Sequence, residues 1–234
     1  YELMHALHKL EAHRFPVELN AVTRAQFVAT EKIAKPERAA AIRGVLAVPM
    51  DPRAIALLEQ DPSDNALLHT TCVATMLSAG RAPNALPAFA EANVNCRILP
   101  GHSPEEVRQT LIKVFADPKV NVEFLGHAGE VLGVAPTVGS APPPPPRADV
   151  FGPLKKVTEE MWPETPVLPT MMAGASDSIY TTAAGIPSYG VSGVGIDFND
   201  DRAHGRDERV RVEAYYANVE FYYLYLKALA TSSE

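Results

Sequence analysis

Two stretches of this chain combine residue types that do chemistry. In the first, Gly174-Ala175-Ser176-Asp177 has the form of a turn feeding a helix start. Ser176 or Asp177 can cap there, Gly174 lets the backbone approach a ligand, and free amides at such a start favour an anion such as a carboxylate. In the second, Asp200-Asp201-Arg202-Ala203-His204-Gly205-Arg206-Asp207-Glu208 sets one imidazole in a dense field of charge beside a flexible glycine. A neutral imidazole is a common metal ligand, and a neighbouring carboxylate can fix its tautomer. Zinc needs three or four protein ligands, and nothing nearby supplies the others at a recognisable spacing. On the residues alone, His204 is either one metal ligand or a solvated loop histidine.

Other chemistry-bearing residues read as bland. His5 and His8 lie three apart on a helical stripe with only Glu2 and Glu11 beside them, which describes a solvated face. Cys72 and Cys96 fall outside any CxxC pattern and flank an expected hairpin. A disulfide between them is conceivable, but two half-buried thiols are the reading favoured here. They carry no inference about compartment.

The elements that position these residues fall into two blocks. Leu3, Met4, Leu7 and Leu10 make a helical stripe with no start signal of its own. Residues 16–64 are helical in flavour but broken by Pro36, Pro49, Pro52 and Pro62, and no chemistry is legible in them. Residues 69–77 and 89–99 are β-rich and should pair antiparallel. Ser103-Pro104-Glu105-Glu106 is a helix start with a capping box, and residues 120–125 are expected as a closing strand. This order predicts an α+β arrangement of two layers with its helices on one face.

A loop with five consecutive prolines, residues 142–146, follows. Alone it would suit a polyproline-binding partner; between structured blocks it reads as a stiff connection. Beyond it, helices over 149–162, 177–184 and 213–229 alternate with apolar strand candidates over 167–171 and 188–191, an α/β pattern. Two strands cannot make a doubly covered sheet, so something else must supply the rest.

Composition bounds the function. The chain has 234 residues, 47% of them hydrophobic, enough for one ordinary domain or two small ones. A formal net charge of −7 argues against a nucleic-acid-binding surface. No run of eighteen apolar residues is present, so no membrane span is expected.

Met172-Ala173-Gly174-Ala175-Ser176-Asp177, Ala184-Gly185-Ile186-Pro187-Ser188-Tyr189-Gly190-Val191-Ser192-Gly193 and Arg202-Ala203-His204-Gly205-Arg206-Asp207-Glu208-Arg209 together resemble the C-terminal part of the M20 metallopeptidases, in particular the carboxypeptidase S and N-acyl-amino-acid hydrolase-like subgroup. Ala82-Pro83-Asn84-Ala85-Leu86-Pro87 and Ala92-Asn93-Val94-Asn95-Cys96-Arg97-Ile98-Leu99-Pro100-Gly101 resemble the lid of the same enzymes. The resemblance implies a lid and dimerisation domain over residues 1–135, missing its first strand, and the C-terminal part of an α/β zinc-peptidase catalytic domain over 136–234.

Carried over residue by residue, it implies that Asn84, Arg97, Gly174, Ala175 and Ser176 contact substrate and that His204 holds one of two zinc ions, with cobalt or another divalent metal a possible substitute. The substrate implied is a peptide or N-acyl amino acid with a free carboxylate, cleaved at its C–N bond by a homodimer joined through the lid. The His-x-Asp and Glu-Glu signatures that carry most of the family's metal ligands and its general base are absent, as is the lid histidine. The expectation is therefore part of a zinc-dependent hydrolase, inactive alone, with a non-catalytic dimerisation or interaction module as the alternative.

Overall fold

Prolines that look like breaks in the sequence serve as helix starts in the structure, a computed structural model that describes residues 1–126, 128–136, 141–172, 174, 176–197, 200 and 202–231. After α1 (Glu2–Ala12) come α2 (Ala21–Glu31), α3 (Pro36–Leu46), α4 (Pro52–Leu58) and α5 (Pro62–Leu68). Pro36, Pro52 and Pro62 each occupy the first turn, where a missing N–H costs nothing. Asn20, Asp51 and Asp61 cap α2, α4 and α5 by accepting backbone amides. These helices enclose a core of Phe27, Ile42, Val45, Leu58 and Leu68.

The period then changes to two. Strands β1 (Thr71–Ala79) and β2 (Ala90–Arg97) form the expected antiparallel hairpin, in register from Thr71 opposite Arg97 to Ala79 opposite Ala90, with an irregularity between Ala74 and Met76. Helix α6 (Pro104–Phe115) starts with the expected capping box: Glu106 N donates to Ser103 Oγ at 3.2 Å, and Ser103 N donates to Glu106 Oε2 at 2.6 Å. Ala6 and Leu10 of α1 and Val107, Leu111 and Phe115 of α6 bury themselves together against Cys72, Val94 and Cys96 of the hairpin. On the other side Val73 and Met76 stay exposed, and Leu77 and Phe89, near the far end of the hairpin, are exposed as well.

Three expectations need correction. The closing strand over 120–125 does not join the hairpin: only β3 (Phe124–Leu125) forms, and it pairs with β4 (Val131–Leu132) in a sheet of its own. Residues 167–171 and 188–191 are in no strand, because a strand needs a partner edge and none is offered among the described residues. Cys72 and Cys96 are disulfide-bonded, not free; they stand directly opposite each other on one face of the hairpin, so their side chains meet.

Two units pack separately, Tyr1–Pro144 with Thr170–Pro187, and Pro145–Pro169 with Ser188–Glu234. In the first, α8 (Ser178–Ala183) lies on the returning segment. In the second, α7 (Ala148–Met161) packs on α9 (Val212–Thr231) around Val157, Phe221 and Tyr225. No described helix is long and apolar enough to cross a membrane.

Candidate functional site

The loop that carries His204 is shaped by its own charges. Arg202 donates through Nε to Asp200 Oδ1 at 2.6 Å, and Arg209 donates to the same carboxylate at 2.9 Å. These bonds, that from Arg202 foremost, hold the Asp200 carboxyl below its ordinary range. Arg202 also pairs with Asp207. Gly205 N donates to the Arg202 carbonyl at 2.9 Å, closing a tight turn, and a methyl group on Gly205 would meet that same oxygen at 2.9 Å. His204 stands exposed in this turn with φ +62°, a left-handed conformation that non-glycine residues rarely take.

This arrangement decides what the loop can hold by itself. Asp200 and Asp207 are engaged by arginines, so they are poor candidates for additional ligands, and no group of three or more His, Cys, Asp and Glu side chains is gathered among the described residues. One exposed imidazole does not meet the ligand count of a zinc site. The donor set among the described residues therefore does not fit zinc without further ligands.

In the first unit, Asn84 and Arg97 are both exposed but lie at opposite ends of the hairpin. Asn84 occupies a turn in the loop beyond the Ala79 and Ala90 rung, and Arg97 closes the ladder opposite Thr71. The seven steps from Ala90 to Arg97 along β2 span about 23 Å at the rise of a strand. Within one copy, the length of the ladder separates the loop of Asn84 from Arg97.

The turn at Gly174 is held from a distance. Met171 N donates to Gln26 Oε1 at 3.0 Å, and Asn20 Nδ2 donates to the Met171 sulfur at 3.4 Å. Nothing crowds Gly174, where an added methyl would meet open space. Ser176 Oγ accepts from Ser178 N at 3.4 Å, a long cap for α8, while Asp177 makes no side-chain cap. Ala175 lies outside the described residues. Gly174 and Ser176 belong to the first unit with Asn84 and Arg97, and His204 to the second.

Sequence reasoning missed Asn20 and Gln26 as supports of this turn. They lie some 150 residues before Met171 in the chain, and a polar residue on a short helix carries no signal of so distant a partner. It also missed two histidines in the first unit. His69, buried, bridges the Phe15 carbonyl and Glu59, and His102 lies 2.8 Å from Glu18 Oε2 and near Glu106.

Comparison with known proteins agrees with this anatomy. The family model of the M20 peptidase dimerisation domain matches residues 1–123, more than half of the chain. Human N-fatty-acyl-amino acid synthase/hydrolase PM20D1 is 29% identical over 76% of this chain and 34% of its own length. The Xenopus tropicalis protein of that name is 30% identical over 71% of this chain and 31% of its own. Probable carboxypeptidase S-like 2 of Dictyostelium discoideum is 26% identical over 73% of this chain and 31% of its own. The chain thus spans about a third of the length of these relatives. The crystal structure of the M20 family metallo-carboxypeptidase Sso-CP2 from Sulfolobus solfataricus superposes with a TM-score of 0.56 over 96% of this chain and 52% of that one, at 16% identity, which speaks for the fold. The chain belongs to the M20 peptidase family and carries its dimerisation domain.

Proposed function

We propose that the intact protein is a dinuclear-zinc hydrolase that cleaves the C–N bond of a peptide or N-acyl amino acid bearing a free carboxylate, and that this chain alone is inactive. The observation that carries the reading is the family match over residues 1–123 together with relatives named for N-acyl-amino acid and carboxypeptidase activities. In this reading residues 1–135 form a two-layer lid and residues 136–234 the C-terminal part of an α/β catalytic domain. Arg97 offers a planar fork for the substrate carboxylate, and the Asn84 amide donates to the scissile carbonyl oxygen. Backbone amides of the Gly174 to Ser176 turn, Ala175 included, supply further donors. His204 contributes one metal ligand, and the remaining ligands and the general base come from outside this chain.

The hairpin ladder, about 23 Å long from Ala90 to Arg97, separates the loop of Asn84 from Arg97 and supports a homodimer in which each site draws on both lids. The exposed Val73 and Met76, on one face of the hairpin, offer apolar surface for that pairing. On α9, Tyr215, Tyr216, Val219, Tyr223 and Leu226 recur at helical spacing and are exposed, which suits a helix that covers more of a sheet than this chain provides.

The test is hydrolysis of a panel of N-acyl amino acids and C-terminal dipeptides by the intact protein, with the 234-residue chain as control. Turnover by the intact protein and none by the control is expected. A hydrolytic rate from the pure chain would refute its inactivity, and a metal-replete intact protein inert on every substrate would refute the hydrolase. The exposed hairpin also favours a second reading, a dimerising module without catalysis, for which sedimentation would show a dimer and the intact protein no hydrolysis.

A further inference from the structure

Residues 16–68 carry no part of the site described above, yet they hold the segment that leads into it. Between α2 and α5 lies an open cavity of about 370 Å³, lined by Gln26, Pro62, Ser63, Ala66, Leu67 and Met171. Met171 forms one wall and is fixed there by Gln26 and Asn20. Gly174 is three steps along the chain from Met171, so the cavity wall and the turn are at most about 11 Å apart. Every one of these residues belongs to the first unit.

The lining selects the occupant. Pro62, Ala66, Leu67 and Met171 present carbon and sulfur, and no charged side chain lines the cavity. The Gln26 carbonyl oxygen is already engaged by the Met171 amide. Asp64, on α5, accepts from Arg38 at 2.7 Å. Another cavity of this unit differs in kind, with Glu18, His102 and Glu106 in its wall. A methionine wall adapts to a flexible apolar chain, and the volume falls in the range of small-molecule sites.

We propose that the cavity between α2 and α5 is the subsite for the acyl chain of an N-acyl amino acid whose amino acid end lies at the Gly174 turn, with Gln26 as the residue that positions the Met171 wall. This rests on the N-acyl amino acid reading above, and it assigns the helices over 16–68 a part in substrate selection. A long acyl chain gains apolar burial in the cavity that an acetyl group cannot reach.

The experiment uses the full 234-residue chain with its six methionine methyl groups labelled with carbon-13 and its backbone labelled with nitrogen-15. N-acetylglycine and N-dodecanoylglycine, both below the micellar concentration, are titrated separately. The dodecanoyl probe should bind at least about tenfold more tightly than the acetyl probe. It alone should shift the Met171 methyl resonance, assigned through Met171→Leu, and show nuclear Overhauser contacts from its chain to that methyl. Ala66→Trp, which fills the cavity, should abolish the chain-length preference; Ala66→Ile serves if the tryptophan variant does not fold.

Dodecanoyl binding that leaves Met171 unmoved, or a chain-length preference that survives the filled cavity, overturns the proposal. Perturbation of the Gly174 and Ser176 amides by both probes without chain-length preference overturns the subsite but leaves the N-acyl amino acid reading standing. Absence of any perturbation by either probe overturns the subsite, while the N-acyl amino acid reading stands or falls by hydrolysis with the intact protein.

Discussion

Gly193 lies against the ring of Phe221 so closely that a methyl group on Gly193 would stand 2.6 Å from Phe221 Cγ. The contact is fixed from both sides: Gly193 N donates to Asn218 Oδ1 at 2.8 Å, and Phe221 is buried with Val157 and Tyr225. Neither backbone nor ring has room to give. Gly193→Ala should therefore cost about 1–3 kcal/mol through overpacking. Trp162, the single tryptophan, sits 5.7 Å from the Phe221 ring and reports on this core. Its fluorescence should show a lower urea midpoint in the variant; an unchanged midpoint would mean that the segment shifts freely.

His69 connects three parts of the first unit. It is 5% exposed, with Nδ1 2.6 Å from the Phe15 carbonyl oxygen and Nε2 2.6 Å from Glu59 Oε1. The carbonyl can only accept, so Nδ1 carries a proton and donates it. His69→Leu leaves the carbonyl and the carboxylate without this partner and should cost roughly 3 kcal/mol. The check is urea unfolding followed by far-ultraviolet circular dichroism, and a loss below about 0.5 kcal/mol would show that water replaces the ring.

What the sequence made legible was what is encoded locally. Ser103, Pro104 and Glu106 specify the start of α6 within four residues, and the structure shows each expected bond. The hairpin followed from its period of two, since alternation is set by the pleat itself. Prolines mislead only in sign: Pro36, Pro52 and Pro62 look like breaks yet open helices, two of them behind an aspartate cap, Asp51 or Asp61, and Pro36 behind Lys35 with no side-chain cap. Segments 167–171 and 188–191 have strand composition, yet composition does not make a ladder without a partner edge. Gln26 and Met171 lie 145 residues apart, and only the folded chain brings them together. Of the site residues, the sequence located His204 in a charged loop, but not that Arg202 and Arg209 take up the Asp200 carboxylate.

The bond between Cys72 and Cys96 joins residues 24 positions apart across the hairpin. Cross-linking a loop of that length restricts the unfolded chain, and replacing both cysteines by alanine should cost about 3 kcal/mol. Thermal unfolding of the double variant and of the reduced wild type should both show the loss. Equal stability of oxidised and reduced wild type would refute it.

His102 gives the first unit a pH dependence with a defined sign. The hydrogen bond to Glu18 foremost, aided by the charges of Glu18 and Glu106, raises the imidazole pKa above its ordinary value near 6.5. A group whose folded pKa is raised contributes stability that is fully present below the unfolded value and fades as pH climbs through the folded one. The difference in melting temperature between wild type and His102→Gln should therefore be largest at pH 5.5–6 and shrink towards pH 9. A difference that is constant, or that widens with pH, contradicts the pairing.

His204 separates a structural role from a catalytic one. Its φ of +62° costs about 1 kcal/mol for an ordinary side chain, and asparagine tolerates that region better. The side chain is exposed, and no described carboxylate group joins it in a metal cluster. If the turn existed only to reverse the chain, His204→Asn would be neutral in every assay. If His204 is the metal ligand proposed above, the replacement leaves the unfolding midpoint of this chain unchanged or slightly raised, while the intact protein loses activity by at least about a hundredfold. Chelator should likewise leave the midpoint of the isolated chain unmoved, because one imidazole does not tie folding to zinc. Retained hydrolysis in the intact His204→Asn protein, at unchanged zinc content, would remove His204 from the metal site and leave its strained turn without a functional reason.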